Sequence, residues 1–426
     1  MKVRTRIAPS PTGEDLHIGN AYTALINYVF AKKNKGSFII RIEDTDRSRL
    51  VEGSENRILS SLKWLGIHHD EGPFRQSERL NLYKRHAEEL VAKGHAYYCV
   101  CTPDRLNEMR KKQEVNHQPP MYDGRCRELK LTNGSTIRLK VPKSGTTTFH
   151  DVIRGDIQFE NKLIDDQVII KSDGYPTYHL GVVVDDHLME ISHIIRGEEW
   201  ISSTPKHILL YQFFGWTLPV YAHMPLLRNP DKSKLSKRKN PVWVSWFREQ
   251  GFLPEAIRNY LATLAWAHPD GKEIFSTEEM IRVFNLESIQ TTAPVFDTEK
   301  LKWMNGKYLK EEYVVEYYKD KYSKEKIKLI WPLVKERMKL LSEFESLAGF
   351  FFIRPPKKEI RKEVRDALGS CEWNHDVMEK AIRSVTGKEA KDAFMELRVA
   401  VTGKTVGPPL LESLEILGRE ETLARL

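Results

Sequence analysis

The sequence predicts an α/β nucleotide-binding unit followed by a largely helical remainder, and three observations carry that reading. An apolar strand over residues 3–8 runs into the turn-rich Pro9-Ser10-Pro11-Thr12-Gly13 and then into a helical stretch over 19–33, the strand, glycine turn and helix that open a mononucleotide-binding fold. A second β-rich run at 37–42, with Ile, Leu and Tyr at helical spacing over 52–65 and 77–93, extends the pattern to β-α-β-α. After about Asp231 the apolar spacing is mostly helical.

Between 96 and 177 the pattern changes to short β-like runs, 136–141 and 167–170, punctuated by Gly and Pro, which reads as an inserted domain. Strand material is expected again at Gly181-Val-Val-Val184 and over 191–196, followed by a helix over 205–214, so that the first sheet is completed after the insertion. The segments around 313–322, 323–348 and 375–397 read as helices. The expected organisation is an α/β domain from 1–95 and 179–230, an insertion at 96–178, a further domain at 231–310 and a helical region at 311–426.

With 426 residues, 40% hydrophobic and 30% charged, the chain has apolar material for several cores, which excludes disorder as a global description. No apolar run reaches the roughly 18–20 residues of a membrane span, and the opening MKVRTRIAPSPTG lacks the apolar core of a secretory signal. A cytoplasmic protein without membrane partners is expected. The net charge of +8 favours a polyanionic partner, and nearly all of the excess lies before Glu311. Three of the four cysteines crowd between Cys99 and Cys126, a pattern that suggests metal before disulfides.

Two short motifs could carry chemistry. Asp15-Leu16-His17-Ile18-Gly19-Asn20 follows the first strand and opens a helix, where free N–H groups and the helix dipole favour phosphate. Taken alone it reads first as an ordinary capped turn with a surface histidine. Lys234-Leu235-Ser236-Lys237-Arg238 offers two ammonium groups and a hydroxyl, suited to the charge that builds on a triphosphate during nucleotidyl transfer. Its alternative is a solvated basic loop. Their occurrence in this order, on either side of an insertion, favours the functional reading of both.

With these motifs the sequence resembles the class I aminoacyl-tRNA synthetases, specifically the glutamyl-tRNA synthetases of bacterial type. Arg6-Ile-Ala-Pro-Ser-Pro-Thr-Gly13, Arg41-Ile-Glu-Asp-Thr-Asp-Arg47, Tyr122-Asp-Gly-Arg-Cys126, Asp173-Gly-Tyr-Pro-Thr-Tyr178, Val184-Asp-Asp186, Ile195-Arg-Gly-Glu198 and Leu397-Arg-Val-Ala-Val-Thr-Gly403 are similar to that family and stand in its order. Leu235 and Arg238 in the lysine motif are substitutions typical of its glutamate enzymes. The resemblance implies a Rossmann-like catalytic domain, an inserted acceptor-binding domain, and α-helical stem-contact and anticodon-binding domains. It also implies a monomer that uses ATP and Mg²⁺ to make glutamyl-adenylate and passes the glutamyl group to tRNA-Glu.

The resemblance further assigns roles. Arg6 and Arg196 would pair with the substrate carboxylates, because a guanidinium forms bidentate charge-assisted bonds. Glu43 would take the ammonium, with Ala8, Ser10, Tyr178 and Trp200 walling the pocket. His17, Gly19, Asn20, Lys234, Ser236 and Lys237 would bind ATP, and His17, Lys234 and Lys237 would stabilise the transferring phosphates. Cys99, Cys101 and Cys126, with Tyr122 as fourth ligand, would suit tetrahedral Zn²⁺; three reduced thiols without metal are the alternative. Gly349 stands where discriminating members carry an arginine, which would extend charging to tRNA-Gln. A small-molecule nucleotidyltransferase would not need about 190 residues after the lysine motif. An inactive tRNA-binding paralogue would have lost Glu43, Arg196 or Lys237.

Overall fold

In the computed structural model, which describes residues 2–235 and 241–426, ten strands are laid down in chain order: β1 (Arg4–Ile7), β2 (Ser37–Ile42), β3 (Glu71–Arg75), β4 (Ala96–Cys99), β5 (Thr136–Leu139), β6 (Thr146–Asp151), β7 (Gly155–Glu160), β8 (Val168–Ile170), β9 (His193–Gly197) and β10 (Val220–Met224). The helix Ile18–Lys33 crosses over between β1 and β2, and Thr204–Phe214 between β9 and β10, so both pairs are parallel. The sheet β1-β2-β3 meets the sheet β7-β6-β10-β9 edge to edge, where the Ser192 N–H donates to the Arg4 carbonyl at 3.0 Å. Strand order runs outward from this junction in opposite directions, β1 to β3 on one side and β9 to β10 on the other. Such a switch point opens a crevice at the carboxyl ends of the strands.

The segment 96–178 is divided between two sheets. Strands β4, β5 and β8 form an antiparallel sheet of their own, whereas the hairpin β6–β7 extends the larger sheet through a parallel β6–β10 pairing at Asp151 and Tyr221. A helix, Pro103–Val115, also stands in this expected β region, capped by the Thr102 side chain with Pro103 in its first turn.

The valine run expected as a strand is a helix, Tyr178–Leu188. Leu180, Val182, Val183 and Val184 are all buried in one core with Ile137 and Leu139 of β5 and with Leu209, Leu210 and Phe214. Burying each branched side chain is worth roughly 1.5–3 kcal/mol, whereas the helix-propensity cost of valine is below about 0.7 kcal/mol. Packing on every side therefore overrides local preference, and a helix buried all round has no periodic signature.

Contacts divide the chain into two units, Met1–Trp246 with Arg258–Asp297, and Phe247–Ile257 with Thr298–Leu426. The second unit is helical and holds two apolar clusters, one around Ile327, Ile330, Phe344 and Phe351 and another around Leu368, Met378, Ile382 and Leu397. The expected helix over 323–348 is two, Lys324–Val334 and Glu343–Ala348, and that over 375–397 is broken at Gly387. No described helix is long and apolar enough to cross a membrane.

Candidate active site

A cleft of about 430 Å³ lies at the carboxyl ends of β1, β2 and β9. It gathers Arg6, Ala8, Ser10, His17, Gly19, Asn20, Glu43, Tyr178, Arg196, Trp200 and Lys234, so every described residue assigned from sequence to glutamate or ATP lines one cavity. Ser236 and Lys237 lie outside the described residues.

His17 is the N-cap of Ile18–Lys33, and its Nδ1 accepts the Gly19 N–H at 3.0 Å. A neutral imidazole that accepts through Nδ1 carries its proton on Nε2, a donor of the kind a phosphate oxygen takes. Lys234 is placed by a short hairpin, bridging Arg228 in antiparallel fashion while its carbonyl accepts from the Asn229 amide at 3.1 Å. Beyond the lysine motif, the Ile18 N–H donates to the Val242 carbonyl and the Val244 N–H to the Leu16 carbonyl. The segment 242–244 is thereby paired with the histidine turn. Trp243 lies edge-on to His17 with ring centres 5.9 Å apart, and its indole covers Gly13, where a Cβ would stand 2.6 Å from the ring. Nothing in the sequence spacing pointed to Trp243.

The two arginines have opposite surroundings. Arg6, 4% exposed, donates from Nε and Nη2 to the two Asp186 carboxylate oxygens at 3.0 and 3.2 Å. Asp186 also receives Arg41 Nη1 at 2.7 Å, and Arg41 Nη2 reaches Glu43 at 3.1 Å. Although burial opposes its charge, Arg6 and Arg41 hold the Asp186 pKa below its ordinary value. Glu43 responds the other way: burial outweighs the pull of Arg41 and Arg6 and raises its pKa. Asp185 and Asp186 stand in the Val184-Asp-Asp186 motif, to which the resemblance attaches no role. Two carboxylates ending an apolar run were the available signal that buried cations must face them.

Arg196, 5% exposed, has only neutral partners among the described residues. Its Nε donates to His223 Nε2 at 3.0 Å, Nη2 to Thr204 Oγ1 at 2.8 Å, and Nη1 approaches Tyr178 Oη at 3.3 Å and His207 Nδ1 at 3.2 Å. Burial, with Arg196 beside it, holds the His207 pKa well below the ordinary imidazole value. Tyr178 stacks on Trp200 with centres 4.2 Å apart. The cleft therefore presents a buried positive charge without an ion-pair partner among the described residues, in the same cavity as a carboxylate whose ionisation burial disfavours. A zwitterion carrying an additional carboxylate complements both.

Away from the cleft, the sulfur atoms of Cys99, Cys101 and Cys126 lie within 4.8 Å of one another. Cys101 Sγ is 3.6 Å from Cys126 Sγ, and Tyr122 Oη is 3.5 Å from Cys99 Sγ and 3.3 Å from Cys101 Sγ. Desolvation opposes the Cys99 thiolate, but hydrogen bonds from Tyr122, the Cys101 backbone and Arg138 bring its pKa down to about 6. Glu128, two residues past Cys126, is turned to Lys140 and Arg127 at the surface. In the helical unit, Gly349 directly follows Glu343–Ala348, and a Cβ there would meet nothing within 4 Å.

Comparison with known proteins agrees with this geometry. Residues 2–303 match the family of tRNA synthetases class I (E and Q), catalytic domain, and residues 299–426 match an anticodon binding domain family. The chain is 45% identical to the glutamate–tRNA ligase of Acidothermus cellulolyticus over 100% of this chain and 95% of that protein. It is 44% identical to that of Thermus thermophilus, covering 100% and 99%. A crystal structure of a glutamate tRNA ligase from Elizabethkingia meningosepticum in complex with its amino acid superposes with a TM-score of 0.88 at 34% identity, covering 100% of this chain and 98% of that one. The chain belongs to the class I tRNA synthetases of the E and Q group and, within it, to the glutamate–tRNA ligases.

Proposed function

We propose that the cleft at the β1/β9 junction is where glutamate meets ATP, with the roles distributed as the charges are. The chain is an ATP-dependent ligase that activates glutamate and transfers it to tRNA-Glu. The observation that carries the site assignment is the buried Arg196 guanidinium, whose hydrogen-bond partners among the described residues are all neutral. Arg196 takes one substrate carboxylate, Arg6 contributes the field of a cation already tied to Asp186, and Glu43 accepts the ammonium. Tyr178 and Trp200 stack to close one wall, and Ala8 and Ser10 line the β1 side. No side-chain nucleophile is needed, because the substrate carboxylate attacks the α-phosphate and a ribose hydroxyl of tRNA then attacks the adenylate. His17 Nε2–H and the helix N-terminus at Gly19 and Asn20 stabilise phosphate charge, and Lys234, with Ser236 and Lys237, does so for the departing pyrophosphate. Mg²⁺ bound with ATP would supply further charge neutralisation at the phosphates.

Within the first unit, we assign residues 1–95 and 179–230 to catalysis and 96–178 to the acceptor end of tRNA. The 311–426 region serves the anticodon. The Cys99, Cys101, Cys126 and Tyr122 cluster fits one structural Zn²⁺. A tetrahedral site with Zn–S bonds near 2.3 Å separates its sulfur atoms by about 3.8 Å, close to the Cys101–Cys126 spacing of 3.6 Å. The nearby Arg138, 3.8 Å from the Tyr122 ring, balances the anionic ligands.

Aminoacylation with glutamate and glutamine, each against purified tRNA-Glu, tests the reading. Glutamate alone should be esterified, and Arg196→Ala should abolish most of it; near-normal activity in that variant would refute the pocket. Metal analysis of protein prepared without chelator should find about one zinc per chain, lost in Cys101→Ser. Zinc-free native protein ends the metal assignment.

A further inference from the structure

Arg196 is held by His223, which is held in turn by Asp151. His223, fully buried on β10, receives the Arg196 Nε–H on Nε2 at 3.0 Å, and its Nδ1 stands 2.6 Å from Asp151 Oδ2. Asp151, fully buried at the end of β6, takes the His223 backbone N–H on the same oxygen and the Ile153 and Arg154 backbone N–H groups on the other, each at 3.0 Å. An ionised carboxylate only accepts, so the His223 proton sits on Nδ1 and Nε2 keeps its lone pair. The opposite tautomer would set N–H against N–H at the Arg196 contact.

We propose that Asp151 and His223 are a positioning pair for glutamate recognition: Asp151 fixes the Nδ1–H tautomer of His223, whose Nε2 aims the Arg196 guanidinium into the cleft without neutralising it. The inference rests on Arg196 as a carboxylate partner of glutamate. Arg6, by contrast, is held directly by a carboxylate that offsets part of its charge. An imidazole interposed between Asp151 and Arg196 fixes direction while keeping the negative charge one ring away. His207 repeats the device on the other side of the guanidinium: its Nδ1 faces Arg196 at 3.2 Å and its Nε2 faces His179 Nδ1 at 3.0 Å. Burial lowers the pKa of His223 and His207, and brings that of His179 to about 3, so all three rings remain neutral acceptors or donors at neutral pH.

The test is adenylate formation by the full chain in the presence of tRNA-Glu, with glutamate and ATP varied separately. His223→Ala should raise the glutamate KM about tenfold, the scale of one hydrogen bond to a charged group, while kcat and the ATP KM stay within about twofold. His223→Gln, whose amide oxygen can stand where Nε2 did, should recover most of the loss. Nitrogen-15 shifts of labelled native protein should report His223 protonated on Nδ1. An unchanged glutamate KM in His223→Ala, alongside a raised one in Arg196→Ala, overturns the positioning role alone. So does an Nε2–H tautomer, or an equal rise in both KM values. An unchanged glutamate KM in Arg196→Ala overturns the pocket reading beneath it. Should His223→Ala fail to fold, His223→Gln and the tautomer of the native protein decide the matter.

Discussion

Arg6 and Arg196 are both buried guanidinia of one cleft, yet one is paired with a carboxylate and the other is held by two imidazoles, a phenol and a threonine hydroxyl. The first arrangement is an ion pair made within the folded protein; the second, on the proposed reading of the cleft, awaits the substrate carboxylate. A buried ion pair is costly to break because the surviving charge is stranded, whereas a buried charge without a counter-ion is a standing cost that binding relieves. Stability and recognition are thus assigned to different arginines, and substitutions should separate them.

The largest effect is expected on stability, at the shared carboxylate. Asp186→Ala strands Arg6 and deprives Arg41 of its shortest partner, at a cost of about 3–5 kcal/mol, read as a lower denaturation midpoint. Because the Asp186 pKa lies below its usual value, its ionised form adds stability above about pH 4 and that share fades as pH falls through the depressed folded-state value. The gap between Asp186→Ala and the native protein should accordingly narrow on acidification; a gap that widens would place the stabilisation elsewhere.

Next in size is Arg196→Ala, where the loss should appear in kcat/KM for glutamate, about 2–5 kcal/mol, with a denaturation midpoint unchanged or higher. A variant that unfolds early while retaining activity would invert the comparison between the two arginines. The smallest effect concerns the helical unit. Gly349→Arg fits the open space at that position and should lower the ratio of tRNA-Gln to tRNA-Glu charging by roughly ten- to a hundred-fold, equivalent to about 1–3 kcal/mol of base discrimination. An unchanged ratio, or negligible native charging of tRNA-Gln, removes Gly349 from anticodon reading.

Much of the cleft was legible in the sequence because its residues follow strands directly: Arg6 and Ala8 at β1, Glu43 just past β2 and Arg196 in β9 are fixed by local chain geometry. Their partners were less legible. Asp186 lies 180 residues from Arg6 and His223 lies 72 from Asp151, and no spacing rule relates residues that only the tertiary fold brings together. The valine run failed for a related reason, since β-branched residues favour strands locally while a helix gave the fuller burial. Trp243 had neither a motif nor a periodicity to mark it.

That same helix, Tyr178–Leu188, has one further consequence. Tyr178 at its start touches Arg196, and Asp186, eight residues on, grips Arg6 and Arg41. At 1.5 Å per residue the two lie about 12 Å apart along the axis, joined by a rod whose apolar side chains are locked into the core. The helix is a common mount: one partner of each arginine is set on it when the domain folds. Neither contact can move along the chain without displacing the apolar side chains that fix the helix in the core.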